Sequence, residues 1–340
     1  MTGPSSRYDR QIRLAEIGES GQQALRKAKV AVVGLGALGS VAADLLARAG
    51  IGELVLIDRD VVDWSNLQRQ MLYVEKDAAN AVSKADAALQ RLRQINSEVR
   101  CHLHAVDLSH QNLISIMQGV DLIVDGTDNF ATRYLLNDYA VKHQLPYVYA
   151  GVVSTYGMVA SIQPQSGPCL RCTYPEPPDA SQAPTCSSAG VLGPAVAVIA
   201  GMASAEAIKI LVGGEALHGF QYFDLWRNQF HAMKATRDEN CCCCGKREFD
   251  WLLGKQGSPE TQIMCGGNTV QIPAQKSPPD LVQLEEKLTG TVTALSRSTQ
   301  FLRFTHRNLD VLIFADGRAL LRGTEDPALA RTVLAETVGS

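Results

Sequence analysis

Two apolar runs near the amino terminus flank a segment with helical periodicity. Residues 29–33, KVAVV, form a nearly continuous β-branched run, which is typical of a strand buried on both faces of a parallel sheet. Residues 40–48 have apolar positions at helical spacing and end at Gly50, and residues 53–57, ELVLI, predict the next strand. Another apolar run, VDLIV, lies at residues 120–124. This alternation of strands and helices predicts an α/β fold.

A glycine-rich turn joins the first predicted strand to the helix. Gly34, Gly36 and Gly39 form the pattern G-x-G-x-x-G, and Asp58 closes the second strand. The glycines allow a tight turn and a close approach of the backbone to phosphate, while the acid binds ribose hydroxyls. The pattern therefore predicts a nucleotide-binding, Rossmann-like doubly wound sheet. The alternative is a turn whose glycines serve only the packing of helix on strand.

Charged residues after the predicted strands indicate which chemistry the nucleotide serves. Arg69 and Lys84 bring two cations towards the phosphates, and Asp128 offers an oxygen ligand of the kind that Mg²⁺ prefers. This set suits displacement at phosphorus, where negative charge builds on oxygen, whereas hydride transfer develops no such charge. We therefore favour MgATP chemistry over an NAD-dependent dehydrogenase. The plainer alternative is that both cations are solvated and that Asp128-Asn129 is a turn.

Two C-x-x-C pairs predict a structural zinc site, because four thiolates fill the coordination sphere of the metal. The first pair is Cys169 and Cys172, and the second lies in a run of four cysteines at 241–244. Spacing selects Cys241 and Cys244, which leaves Cys242 and Cys243 as bystanders or alternates. A non-catalytic scaffold containing zinc is thus a second alternative, against which the charged residues near the nucleotide argue.

Six segments together carry a resemblance to a known family. They are RYDRQIRL at residues 7–14, VVGLGALG, DRDVVDWSNLQRQ, GTDNFATR, CLRC and C-x-x-C-G. Over residues 5–250 the chain resembles the ThiF/MoeB/HesA family, bacterial relatives of the ubiquitin-activating enzymes. Within it, the chain is most similar to ThiF-type adenylyltransferases with a C-terminal extension. The resemblance supports the zinc site.

The resemblance implies an activity and its partners. The activity is MgATP-dependent adenylation of the C-terminal glycine of a ubiquitin-like sulfur-carrier protein ending in Gly-Gly. Thiazole synthesis for thiamine is favoured, and molybdopterin synthesis is the alternative. The carrier's own carboxylate attacks the α-phosphorus and expels pyrophosphate, so no side-chain base is needed. A sulfur donor such as a cysteine desulfurase is a further possible partner.

The resemblance also assigns roles to residues. The nucleotide would be bound by Gly34, Gly36, Ala37, Gly39, Asp58, Asp60, Asn66, Arg69, Lys84, Asp128 and Asn129. Catalysis would use Arg69, Lys84, Asp128 and Arg10, the last reaching into a neighbouring subunit's site and so implying a homodimer. Cys186, in a loop rich in proline, serine and glycine, is either a sulfur-transfer residue or idle.

Composition limits the partners and the cellular location that we expect for the protein. The formal net charge of −3 argues against a nucleic-acid partner, and the first residues contain no apolar run of a secretory signal. The apolar stretch 191–212 predicts a buried helix packed through small residues rather than a membrane span. We expect a cytoplasmic protein without a membrane partner, in which nine cysteines suggest metal or reactive thiols more than disulfides.

The pattern predicts two domains. Residues 1–250 form the ATP-binding adenylation domain with its structural zinc site. Residues 265–340 form a small α+β module of unknown role, in which a strand, a helix, three further strand segments and a closing helix follow one another. Cys265 and Cys101 are expected to be structural.

Overall fold

The apolar runs that precede residue 250 form the strands of one mixed sheet in the computed structural model, which describes residues 7–178, 189–256, 261–263, 268–274 and 278–339. The strands are β1 (Lys29–Val33), β2 (Glu53–Ile57), β3 (Arg100–His104), β4 (Leu122–Asp125), β5 (Tyr147–Val153), β6 (Tyr156–Ile162), β7 (Phe220–Asp224) and β8 (Gln229–Met233). Their order is β3-β2-β1-β4-β5-β6-β7-β8. Strands β1 to β5 run parallel, and β6 to β8 continue the sheet antiparallel.

Helices cover both faces of this sheet. They are α1 (Asp9–Ile12), α2 (Gly18–Lys27), α3 (Ala37–Ala49), α4 (Glu75–Ala79), α5 (Lys84–Ile95), α6 (Leu113–Ile116), α7 (Phe130–His143), α8 (Leu170–Thr173) and α9 (Gly193–Leu211). Successive residues of β1 enter different cores: Val30 and Val32 pack with α3, α5 and α9, while Ala31 and Val33 pack with α7 on the opposite face. The predicted doubly wound α/β fold is confirmed.

The order of the strands creates a crevice at one edge. Strand β1 lies between β2 and β4, so the chain leaves β1 towards one side and later returns on the other. Ligands of open α/β sheets bind outside the carboxyl ends of the strands at such a point. The residues that follow β1, β2 and β4 therefore meet at one edge.

Helix α9 accounts for the apolar stretch at 191–212. It is long and apolar enough to cross a membrane by length and composition. In the structure it packs against α3, β5 and β6, with Val196 and Ile199 in the core. Its buried Glu206 accepts a hydrogen bond from the Leu217 backbone N–H and pairs with Lys209, with 2.6 Å between Oε2 and Nζ. These contacts fit the prediction of a core helix.

The chain divides into two compact units, Met1–Gln256 and Gly257–Ser340. The predicted segments 1–250 and 265–340 fall within the first and the second unit respectively. The second unit contains β9 (Gln262–Ile263), β10 (Thr269–Ile272), β11 (Thr293–Arg297), β12 (Phe301–His306), β13 (Leu309–Phe314) and β14 (Ala319–Arg322), with helices α10 (Leu281–Leu288) and α11 (Pro327–Thr337). Its antiparallel sheet has the order β11-β12-β13-β14-β10-β9 and its own apolar core, as an α+β module requires.

Candidate functional site

The glycine-rich turn after β1 packs against another glycine, Gly126, which follows β4. Gly34 has a φ of +80°, and a Cβ built there would lie 2.8 Å from the Gly126 carbonyl carbon. A Cβ on Gly39 would lie 1.7 Å from the Gly34 carbonyl oxygen. Gly36 differs, because the Nε2 atom of Gln70, at 3.9 Å, is the one heavy atom of the described chain within 4 Å of such a Cβ, apart from the adjacent residues Leu35 and Ala37. Gly34 and Gly39 therefore have no room for a side chain, whereas the space in front of Gly36, directly before α3 begins at Ala37, is open.

Asp58 follows β2 and is oriented by the turn. Its Oδ2 accepts a hydrogen bond from the Leu35 N–H at 2.6 Å, and its Oδ1 accepts one from the Asp60 N–H at 2.7 Å. Burial raises the pKa of this carboxyl, although the charge of Lys84 and the two backbone bonds act in the opposite direction. Each carboxylate oxygen keeps a lone pair for a further donor such as a ribose hydroxyl.

Lys84 is the first residue of α5 and points towards the segment after β2. Its Nζ lies 3.1 Å from Asp60 Oδ2, and its backbone N–H donates to the Asp60 carbonyl at 2.9 Å. Burial disfavours the charged ammonium, but the nearby charges of Asp60 and Asp58 outweigh burial and raise the pKa of Lys84. The lysine is therefore a buried, charged cation at the carboxyl edge of the sheet.

A second cation at this edge was not identified from the sequence. Arg59 directly follows Asp58, and its Nη1 lies 3.1 and 3.2 Å from the two carboxylate oxygens of Asp107, beyond β3. Burial opposes its charge, yet Asp107, Asp60 and Asp128 raise the pKa of its guanidinium. Its place beside Asp58 in the segment DRD was the signal that could have found it.

Asp128 lies exposed after β4, at the same edge. Its charge contributes to the raised pKa values of Lys84 and Arg59, so the structure brings the predicted Asp128 and Lys84 together, with Arg59 beside them. The neighbouring Asn129 has a structural task, because its Oδ1 accepts a hydrogen bond from the Thr132 N–H at 2.8 Å and caps α7. The side chain of Asn129 therefore has a local structural role, as the alternative interpretation of Asp128-Asn129 as a turn expects.

A buried ion pair supports the loop that carries Asp128. Arg133 Nε lies 3.5 Å from Asp125 Oδ2, and Arg133 Nη2 donates to the Thr127 carbonyl at 2.8 Å. Asp125 also accepts hydrogen bonds from the Thr127 hydroxyl and from Tyr147. Sequence reasoning missed this pair, although Arg133 ends the segment GTDNFATR.

Asn66 and Arg69 lie on the segment that covers the glycine-rich turn. Asn66 Oδ1 accepts a hydrogen bond from the Asp63 N–H at 3.1 Å, and Arg69 Nη1 donates to the Ser65 carbonyl at 2.9 Å. The segment is tied to the turn by Tyr73, whose hydroxyl donates to the Leu35 carbonyl at 2.7 Å. Both predicted residues therefore lie on a segment that is bonded to the glycine-rich turn, and their side chains bond that same segment.

Arg10 lies apart from the other predicted residues of its own chain. It is exposed on α1, where the neighbouring Gln11 donates to the Ala49 carbonyl at 2.9 Å, at the end of α3 opposite to Gly36. Because α3 has 13 residues, these two ends are about 20 Å apart. The structure does not bring Arg10 to the crevice of its own chain.

The predicted zinc ligands lie together. The Sγ atoms of Cys169, Cys172, Cys241 and Cys244 all lie within 4.8 Å of one another. Three of the separations are 3.9 Å (169 to 172), 3.6 Å (169 to 241) and 3.3 Å (172 to 244). A tetrahedral zinc ion with Zn–S bonds of about 2.3 Å needs sulfurs about 3.8 Å apart, so the cluster could hold this metal.

One helix holds both cysteine pairs in place. Asn137 on α7 accepts a hydrogen bond from the Leu170 N–H at 2.8 Å and donates to Cys243 Sγ at 3.3 Å. Cys243 is fully buried and faces this asparagine, outside the set of four. Of the other cysteines, Cys101 is half-buried on β3, whereas Cys186 and Cys265 lie outside the described residues.

Comparisons with known proteins show which family the chain resembles. The model of the ThiF family matches residues 8–244. The sulfur carrier protein ThiS adenylyltransferase of Bacillus subtilis (strain 168) is 37% identical over 342 residues, covering 100% of both chains. A sulfur carrier protein adenylyltransferase of Thermus thermophilus is 38% identical over 246 residues, 70% of this chain and 90% of that protein.

A solved structure extends the likeness to three dimensions. The crystal structure of E. coli MccB with ATP superimposes with a TM-score of 0.62 at 26% identity, covering 70% of this chain and 74% of that chain. The matched segment and the shared fold agree, and the resemblance to the ThiF/MoeB/HesA family is confirmed. The chain belongs to the ThiF family.

Proposed function

We propose that the first unit adenylates the C-terminal glycine of a ubiquitin-like sulfur-carrier protein ending in Gly-Gly, with MgATP as the second substrate. The observation that carries the proposal is the charged cluster at the carboxyl edge, where Lys84 pairs with Asp60 and the charge of Asp128 acts on both Lys84 and Arg59. The two relatives, both named as adenylyltransferases of sulfur carrier proteins, support it.

The nucleotide lies across the glycine-rich turn in this proposal. Asp58 binds the ribose hydroxyls, and the first backbone N–H groups of α3, from Ala37 onwards, face the phosphates at the positive end of the helix dipole. Asn66 and Arg69 turn from their present backbone partners towards the phosphates. Both make a single hydrogen bond at the edge of the segment in the described structure, so the change needs only side-chain rotation.

Catalysis consists of positioning and of charge stabilisation. The carrier's carboxylate attacks the α-phosphorus, a P–O bond forms, and the bond to the bridging oxygen of pyrophosphate breaks. Lys84 and Arg69 offset the charge that grows on the phosphate oxygens. The nucleophile is already ionised, so no residue has to remove a proton. AMP then becomes the leaving group that makes the glycine carbonyl reactive towards sulfur.

Asp128 is the residue that we assign to Mg²⁺. Its carboxylate is exposed at the crevice and offers the hard oxygen that this ion prefers, while Arg59 and Lys84 nearby balance the local acids. When bound, Mg²⁺ withdraws charge from the phosphates and orients them for in-line attack. Asp60 and Asn129 complete the crevice by holding Lys84 and the start of α7 in place.

We propose a homodimer in which Arg10 acts on the neighbouring site. The supporting argument is that Arg10 neighbours Gln11, which is bonded to the far end of α3, about 20 Å from the end at Gly36, and a side chain cannot bridge that length. The four clustered cysteines hold one structural zinc ion, because four thiolates leave no open position for catalysis. Cys186 has the downstream role, sulfur transfer or covalent capture of the carrier, with a cysteine desulfurase as possible sulfur donor.

Thiazole synthesis for thiamine is the pathway that we favour. The B. subtilis relative named for the carrier ThiS matches along the full length of both chains, whereas the T. thermophilus relative matches over 70% of this one. Molybdopterin synthesis is the alternative, and we place the reaction in the cytoplasm. Which carrier protein is used distinguishes the two pathways.

The test is isotope exchange between ATP and pyrophosphate. We expect exchange only when a carrier ending in Gly-Gly is present with Mg²⁺, because the adenylate forms on that glycine. Tight binding of NAD(H) without binding of ATP would establish the dehydrogenase alternative instead. Absence of nucleotide binding, with zinc present, would establish the scaffold alternative.

A further inference from the structure

Gln70 carries a buried amide whose hydrogen bonds are incomplete. The residue is 4% exposed, and its Oε1 has no hydrogen-bond partner within the described part of the chain. Buried polar atoms in proteins are nearly always paired. A second buried glutamine, Gln22, follows that rule: its Nε2 donates to the Ala49 carbonyl at 3.0 Å, and its Oε1 accepts from Gln11 at 2.7 Å. The unpaired acceptor of Gln70 therefore requires an explanation.

The explanation lies in the other half of the amide, its NH₂ group. Apart from the residues adjacent to Gly36 in the chain, Nε2 of Gln70 is the one described atom within 4 Å of a Cβ built on Gly36, so the NH₂ group lies at the rim of the open space in front of the glycine-rich turn. The backbone of Gln70 is fixed, because its N–H donates to the Asn66 carbonyl at 3.0 Å and the following Tyr73 is bonded to Leu35. The amide is thus aimed at the crevice by an anchored segment.

We propose that Gln70 is a nucleotide-binding residue whose NH₂ group donates a hydrogen bond to a phosphate oxygen of ATP. This assignment rests on the proposed function and adds a residue to its site. Phosphate oxygens only accept hydrogen bonds, so the NH₂ group of the amide must face them. This requirement decides which end of the amide carries nitrogen and which carries oxygen. A methionine of similar length would fill the same space without an unpaired acceptor. The unpaired acceptor is thus a cost in stability that accompanies a donor placed for the ligand.

The experiment compares Gln70→Met with a matched control, Gln22→Met. Binding of the non-hydrolysable analogue AMPCPP with Mg²⁺ is measured by calorimetry, and stability is measured by thermal unfolding. We expect Gln70→Met to weaken binding of the analogue about 10-fold, as loss of a hydrogen bond to a charged group does, with an unchanged or higher Tm. Gln22→Met should bind the analogue like the wild type and have a lower Tm, because it breaks satisfied hydrogen bonds.

A second variant, Gln70→Glu, keeps the shape of the side chain and replaces the donor with a negative charge. It should bind the analogue more weakly than Gln70→Met, because the carboxylate repels phosphate. Equal affinity of wild type, Gln70→Met and Gln70→Glu would overturn the assignment while leaving the adenylation proposal intact. A wild-type protein that binds no ATP analogue would overturn the proposed function and this assignment with it.

Discussion

The ammonium of Lys84 and the carboxylate of Asp60 form an ion pair at the carboxyl edge of the sheet, with Nζ 3.1 Å from Oδ2. The side chain of Lys84 is 8% exposed and that of Asp60 is 31% exposed, so water screens the pair only in part. A backbone hydrogen bond of 2.9 Å joins the same two residues. The pair therefore ties the start of α5 to the segment after β2 and keeps the lysine close to Asp58.

Replacement of Lys84 by Met should affect stability as well as activity. Loss of the cation leaves Asp60 without its main charge partner, and we expect a loss of about 2 kcal/mol in the free energy of unfolding. The double variant with Asp60→Asn should recover most of that stability but not pyrophosphate exchange, because the phosphates still lack the ammonium. Urea unfolding and exchange assays check this. Recovery of exchange in the double variant would contradict the role of Lys84.

The same pair predicts a dependence on pH. The pKa of Lys84 is raised above 10.5 in the folded protein, so the ion pair contributes fully below the pKa of unfolded lysine. Its contribution is lost only as the pH rises through the folded pKa. The difference in unfolding free energy between wild type and Lys84→Met should therefore stay constant between about pH 7 and pH 9. A difference that shrinks within this range would show that another group titrates.

Arg69 and Asp128 should be needed for the chemical step. Replacement of either by Ala should reduce ATP–pyrophosphate exchange by about 100-fold or more, as loss of a preorganised charge contact does. Arg93→Ala, which removes an exposed arginine from the last turn of α5, is the control and should retain normal exchange. A variant of Arg69 or Asp128 with near-normal exchange would remove that residue from the proposed site.

Mixing two inactive variants should restore activity if Arg10 serves the neighbouring subunit. An Arg10→Ala chain keeps an intact crevice, and an Arg69→Ala chain keeps an intact Arg10. When equal amounts of the two variants exchange subunits at random, half of the dimers are heterodimers. Each heterodimer has one complete site out of two, so activity should recover to about a quarter of the wild-type value. Size-exclusion chromatography is the control that checks whether the variants are dimers. Dimeric mixtures that stay inactive would contradict action across subunits.

One zinc ion per chain should remain bound after extensive dialysis. Cys172→Ser should lose the zinc and fold poorly, because structural zinc sites contribute folding energy directly. Cys242→Ser is the matched control, since Cys242 lies in the same run of cysteines but outside the set of four clustered thiols. Elemental analysis of the purified variants checks this. Stoichiometric zinc in Cys172→Ser would show that the ligand set is wrong.

Cys186→Ala should separate adenylation from later sulfur chemistry. Adenylation uses cations, metal and the carrier's own carboxylate, so exchange should stay within a few-fold of the wild type. Covalent capture needs a nucleophilic thiolate, so any loss should appear in a carrier adduct that dithiothreitol cleaves, or in the yield of thiocarboxylate. Intact-mass measurement detects the adduct. Collapse of exchange itself would show that Cys186 helps to form the nucleotide site.

The local pattern of apolar and polar residues was sufficient to predict much of the fold. The apolar runs predicted β1 and β2, and the helix predicted over residues 40–48 extends from Ala37 to Ala49, because Gly36 precedes its first turn and Gly50, at φ +84°, ends it. The spacing of the cysteines selected the four thiols that the structure clusters. These features depend on residues that are close together in the chain, or on the spacing of ligands within a short segment. Both can be recognised in the sequence before the fold is known.

The sequence by itself therefore determined the nucleotide fingerprint, the cysteine pairs and the membership of a family. The tertiary structure decided the pairing of Arg59 with Asp107, the pairing of Arg133 with Asp125, and the open space that Gln70 borders. It also separated Arg10 from the crevice of its own chain. These contacts arise because the order β3-β2-β1-β4 brings the carboxyl ends of strands distant in the chain to one edge. Strand order depends on how both faces of the sheet are buried, which no local periodicity encodes.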